Sequence, residues 1–135
     1  MTVVQFLENR FSALGSRDYA TVYDSYHVDA PFLQQFSDRK AYICFAQQQL
    51  DSIKILSWSC PQQRTVAANQ VEVLLVMEVA TEGDSQFFYE LALLIDTEAG
   101  WRYHSAQKLG ADDYSGAPLQ IDFCHFDDAV QKIRF

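Results

Sequence analysis

Three histidines and a few carboxylates carry whatever proton chemistry this chain has. His27 stands among Tyr23, Tyr26 and Asp29. An imidazole with a nearby carboxylate to orient it is a general-base pattern. The more ordinary use of a histidine near a helix end is to cap carbonyls. Glu90 falls mid-strand between Tyr89 and Leu91, where a carboxylate is either an acid in a pocket or one half of a structural ion pair. Glu78 offers the same choice. His27, Asp29 and Glu90 are therefore the catalytic candidates if the chain is an enzyme. His104 lies between Tyr103 and Ser105, and period two puts it on the face opposite Trp101 and Tyr103. Cys124 and His125, with Asp122, Asp127 and Asp128 nearby, are two ligands short of a zinc set, so no metal is expected. The sequence has no Gly-rich phosphate loop, GxSxG elbow or HExxH motif, and no cofactor is expected. Tyr23, Tyr26, Tyr42, Tyr89, Trp101 and Tyr103 are the candidates for lining a ligand cavity. Helical spacing alone also explains Tyr19, Tyr23 and Tyr26 as core.

The elements that must position these groups change period once along the chain. Thr2 and Gln5 have capping-box spacing, and Val3, Leu7, Phe11 and Leu14 share one helical face behind them. Gly15 is placed for a left-handed C-cap. Ser16 is expected to cap a second helix, which Pro31 ends by about residues 26–29. Ser37 is expected to cap a third, over residues 38–50, with Ala41, Tyr42, Phe45 and Ala46 inward. From Ile53 the pattern is that of strands. Residues 53–60 form the first, interrupted or ended by Pro61. Residues 71–82, 86–96 and 101–108 form three more, joined by Gly83-Asp84-Ser85 and by the turn 97–100.

The second strand is apolar on both faces. Val71, Val73, Leu75, Met77 and Val79 line one, and Leu74, Val76 and Ala80 the other. Both faces must be covered. Three helices can cover one; the other needs the C-terminal tail, a second subunit, or both. In the tail, residues 119–126 alternate weakly as a short strand, and residues 127–135 read as a closing helix with acids first and Lys132 and Arg134 last.

The chain has 135 residues, which suits one domain with a single core. Its net charge of -8 argues against nonspecific nucleic-acid binding, which needs a basic face. No apolar run approaches a membrane span, and residues 1–11 do not read as a signal peptide, so no membrane association and a cytoplasmic location are expected. Cys44, Cys60 and Cys124 fit reduced, mostly buried thiols.

Three helices before a long curved antiparallel sheet is the order of the nuclear transport factor 2-like (cystatin-like cone) superfamily. Asn9-Arg10-Phe11-Ser12-Ala13-Leu14, Asp18-Tyr19 and Tyr26-His27 resemble the opening of the central domain of bacterial YchJ-like, SEC-C-associated proteins. Thr81-Glu82-Gly83, Glu90 and Trp101-Arg102-Tyr103 resemble that family's sheet. Tyr26-His27 comes two residues later than the family pattern, and Ala92 and Leu94 replace its usual Ser and Phe. The Cys-rich metal-binding flanks are absent. The resemblance therefore implies the cone fold and no zinc, and no defined activity comes with it.

The expectation is an α+β fold of three N-terminal helices packed on a curved antiparallel sheet. Residues 1–109 would form the cone domain, with an extension at 110–135 packed on it. The functional reading is a homodimeric binding module for a small apolar or amphipathic ligand, or for a protein partner. The alternative is a small-molecule isomerase or dehydratase using proton transfer in the cone. Two packing expectations follow. The tail should dock through Leu119, Ile121, Phe123, Phe126, Val130, Ile133 and Phe135. Arg10 and Glu90 should pair directly between the first helix and the sheet.

Overall fold

The computed structural model describes residues 1–128; Val130, Ile133, Phe135 and most of the expected closing helix lie outside the described residues. Helix α1, Val3–Gly15, opens on the capping box read from the sequence. The Gln5 N–H donates to Thr2 Oγ1 at 3.1 Å and the Thr2 N–H donates to Gln5 Oε1 at 2.9 Å. The left-handed residue at its end is Arg17 (φ 61°), not Gly15. A non-glycine residue is strained there. Arg17 is anchored by donating to the Asp51 carbonyl at 2.8 Å, with the Asp51 carboxylate 3.9 Å away.

Helix α2, Tyr19–Asp24, is capped by Asp18 rather than Ser16, and α3, Arg39–Leu50, by Asp38 rather than Ser37. In both, the carboxylate reaches the backbone N–H three residues on, which the shorter hydroxyl one or two places earlier does not. A 3-10 turn, Pro31–Gln35, links α2 to α3. Tyr19 is buried between these elements and donates to the Asp51 carboxylate. Burial, then that carboxylate, push its hydroxyl up to about 12.

The sheet runs β1 (Ile53–Ala67), β2 (Gln70–Thr81), β3 (Asp84–Thr97) and β4 (Gly100–Leu109), in that spatial order and antiparallel throughout. β1 does not stop at Pro61. It passes through a register shift between Ser59 and Gln62 and continues, because an edge strand tolerates the missing N–H at a bulge. The β2–β3 hairpin turns on Glu82 and Gly83, both at positive φ (37° and 87°), as a two-residue loop of this hand requires.

The two faces of β2 separate as their alternation dictates. Val73, Leu75 and Met77 join Phe6, Leu7 and Phe11 of α1 in the inner core, with Trp58 of β1 stacked on Phe11 at 4.5 Å. Leu74 and Val76 face outward with Tyr89 and Leu91. The tail covers this outer face. Ile121 and Phe126 are each only 1% exposed there, and Tyr114 sets its ring edge-on to Tyr89 at 5.1 Å.

The tail is not a fifth strand. It forms a 3-10 turn, Pro118–Gln120, and helix α4, Phe123–Asp127, which starts before the expected closing helix because Asp122 and His125 make a capping box. Leu119, expected to dock, is 66% exposed. Arg64 of β1 fastens the tail. Its Nε donates to buried Glu72 at 3.0 Å, its two terminal nitrogens donate to Asp127 at 3.0 and 2.9 Å, and its guanidinium lies 4.2 Å over the Phe123 ring. The Asp127 bonds, against the opposing cost of burial, and then Glu72 raise the Arg64 pKa.

Candidate functional site

Past the end of α2 the chain runs beside β4. The Tyr103 N–H donates to the Ser25 carbonyl and the His27 N–H to the Tyr103 carbonyl, both at 2.8 Å, so Tyr26 forms a parallel bridge with Tyr103. This join brings the opening of the chain and its last strand to one place. The Arg10 guanidinium lies 4.1 Å from the Tyr103 ring centroid and 5.2 Å from that of Tyr26, and its Nε donates to Ser25 Oγ at 3.2 Å. Burial opposes the Arg10 charge, but Tyr26, Tyr103 and Glu90 outweigh it and raise the pKa.

The expected direct pair of Arg10 with Glu90 is not formed. Tyr103 stands between them, its hydroxyl donating to Glu90 Oε2 at 3.1 Å. The other Glu90 oxygen is 3.9 Å from Lys108 Nζ on the neighbouring strand. Burial first, then Glu90, hold the Tyr103 phenol protonated far above the usual tyrosine range.

His27 sits on the surface side of the join. Its Nδ1 accepts the Asp29 backbone N–H at 3.0 Å, so Asp29 orients the ring through its main chain. His104 lies away from the inner core that holds Trp101 and Tyr103. The β3–β4 register shifts between Leu93 and Leu94, which pair with Ser105 and Tyr103, and His104 is the extra residue. Its Nδ1 is 2.9 Å from Ser105 Oγ and its ring centroid 5.7 Å from that of His27.

An open cleft of about 550 Å³ lies against this join. It is lined by Tyr23, Asp24, Tyr26, His27, Val28, Leu33, Gln34, Thr97 and Arg102. Three of the residues singled out from the sequence, Tyr23, Tyr26 and His27, thus share one concavity. Tyr42 and Tyr103 are buried behind it, with their ring centroids 6.0 and 5.3 Å from that of Tyr26. Trp101 packs at the margin of the inner core. Tyr89 stands apart on the outer face under Tyr114, because it alternates with Glu90 and Phe88. Glu90 is not among the cleft residues, so the three catalytic candidates are not gathered round one volume.

Arg102, Leu33, Gln34 and Thr97 were not expected at a site. Arg102 sits beside Trp101 in a motif already singled out, and the turn 97–100 that brings it to the cleft was legible. Among the described residues, no group of three or more His, Cys, Asp or Glu side chains is placed to hold a metal ion.

No protein-family model matches the chain, and no curated protein matches it in sequence. Solved structures do match. A ketosteroid isomerase-like protein from Erwinia carotovora atroseptica aligns with a TM-score of 0.61 at 12% identity, covering 80% of this chain and 92% of that one. A domain of unknown function with a cystatin-like fold from Nostoc punctiforme aligns with a TM-score of 0.58 at 12% identity, covering 96% and 89%. The chain has the cystatin-like, nuclear transport factor 2-like cone fold, an α+β architecture with a curved four-stranded antiparallel sheet. At this identity the likeness shows the fold alone.

Proposed function

We propose that this chain is a binding module that takes a small amphipathic molecule in the cleft against Tyr23, Tyr26 and His27. The observation carrying this reading is that these three residues share one concavity with apolar Leu33 and polar Gln34, Thr97 and Arg102. A cleft of about 550 Å³ that sets Tyr23, Tyr26, Val28 and Leu33 beside polar side chains suits a small amphipathic ligand. The isomerase or dehydratase alternative needs two titratable groups at one enclosed volume. Glu90 is held by Tyr103 and Lys108, and Asp24, the carboxylate in the lining, is held by Nε and one terminal nitrogen of Arg39. That geometry favours binding over proton transfer.

Titrating small aromatic amphiphiles into the labelled protein should shift the amides of residues 23–34 and 97–102 together. Tyr26→Ala should weaken the interaction by about tenfold, the loss of one aromatic contact and its buried area. Shifts confined to the outer sheet face, or none at any site, would sink the reading.

A cytoplasmic location and the finer likeness to YchJ-like central domains belong to the same proposal. The likeness is supported by convergence, since Arg10, Tyr26 and Tyr103, all within the motifs that carry it, meet in space. No helix among the described residues is long and apolar enough to cross a membrane. We also propose a homodimer. The outer face that first suggested one is sealed by the tail over Leu74, Val76 and Leu91, so its support is now the exposed Leu56 and Val66 of β1 and the exposed Leu119 of the tail. Equilibrium sedimentation should show a dimer at tens of micromolar, and a monomer there would remove the proposal.

A further inference from the structure

The charges of the cleft have a direction. Five arginines fall among the described residues, and four are accounted for. Arg17, Arg39 and Arg64 each face a carboxylate, and Arg10 lies against two tyrosine rings. Arg102 differs. One terminal nitrogen donates to the Trp101 carbonyl at 2.7 Å, and among the described residues no carboxylate pairs with it. The chain carries 18 acidic residues against 10 basic ones, so a half-buried guanidinium in a cleft with no acid on it stands out. The fork keeps donors in a geometry that matches a planar carboxylate.

Two neighbours point the same way. The carboxylate in the lining, Asp24, takes Arg39 Nε at 3.0 Å and a terminal nitrogen at 2.7 Å, so its charge is already balanced. His27 Nδ1 accepts a backbone N–H, which is always a donor. The single N–H of the neutral ring is therefore on Nε2, where it serves an incoming oxygen. The apolar side is supplied by Tyr23, Tyr26 and Leu33.

We propose that the cleft recognises a small organic carboxylate with a flat apolar body. Arg102 and His27 hold the carboxylate, and Tyr23, Tyr26 and Leu33 hold the body. A single negative charge suits the site: one guanidinium balances it, and a dianion would need further cations in a strongly acidic protein. This inference rests on the cleft being a binding site, and its test separates the two.

The full-length protein is titrated with phenylacetate, phenylacetamide and phenyl phosphate, followed by amide shifts in residues 23–34 and 97–102. Phenylacetate should bind at least about tenfold more tightly than phenylacetamide, which has the same body and no charge. Arg102→Gln should bring that ratio close to one, and Arg102→Lys should restore part of it, with the amide spectrum confirming the fold of each. If acid and amide bind equally at the cleft, the carboxylate inference is overturned and the binding site stands. If phenyl phosphate matches or exceeds phenylacetate, the commitment to a singly charged head is overturned. If none of the three shifts the cleft, the binding reading itself fails and this inference with it.

Discussion

Phe126→Ala is expected to lower stability by about 3 kcal/mol and to release the tail from the outer face of the sheet. Removing a fully buried Phe ring costs roughly 3–5 kcal/mol when the site cannot collapse. Phe126 is 1% exposed and packs with Ile121 over Leu74, Val76, Tyr89 and Leu91. The loss has a ceiling, because a weakened tail can detach while the sheet and α1–α3 stay folded. Amide exchange should therefore rise across residues 119–128 while the inner core of Val73, Leu75 and Leu94 stays protected. Removing residues 110–135 altogether strips the outer face and should drive the protein to associate. Unchanged exchange in the tail together with unchanged stability would show that Phe126 contributes no packing there.

Arg10→Met is expected to cost about 2–3 kcal/mol, and Glu90→Gln only about 1. The guanidinium makes two ring contacts worth roughly 0.5–2 kcal/mol each, and a charged hydrogen bond to Ser25 worth about 1.5–3. Relief of burying a charge offsets part of the sum, and methionine refills the space. A glutamine at position 90 still accepts from Tyr103 through its carbonyl and loses the partly exposed Lys108 contact and the through-space attraction to Arg10. A direct buried pair would instead make both substitutions cost roughly 3–5 kcal/mol. Thermal and denaturant unfolding of the two single variants and the double variant decide between them. A coupling energy above about 2 kcal/mol would mean that Arg10 and Glu90 act as one pair.

Most of the frame was legible because it depends on local chemistry. Thr2 and Gln5 announce their capping box, and alternation assigns Val73 and Leu74 to opposite faces without any knowledge of the partners. What failed depended on a third residue or on one extra residue. Arg10 and Glu90 do approach the same place, but nothing in their spacing says that the Tyr103 phenol occupies the gap. The β3–β4 register shift that makes His104 an extra residue was not legible, because neither glycine nor proline flags that spot. Tyr89 was grouped with the other rings by residue type alone, while its parity with Leu91 places it outside. In the tail, histidine is an unusual partner in a capping box, so Asp122 and His125 gave no recognisable helix start. The cleft was half legible: its α2 side follows from the tyrosine stripe, and its Arg102 side depends on where the β3–β4 turn lands.

The two borders of the sheet determine whether the folded protein can recruit another chain by backbone pairing. β4 has its border occupied near Tyr103 by residues 25–27. β1, on the other side, is long, but its register with β2 breaks in three places, and Pro61 sits in the middle break without an N–H to offer. A foreign strand meets an interrupted ladder at β1 and a filled position on β4. Although nearly half of the residues are hydrophobic, the native fold offers little backbone surface from which a fibril could be templated.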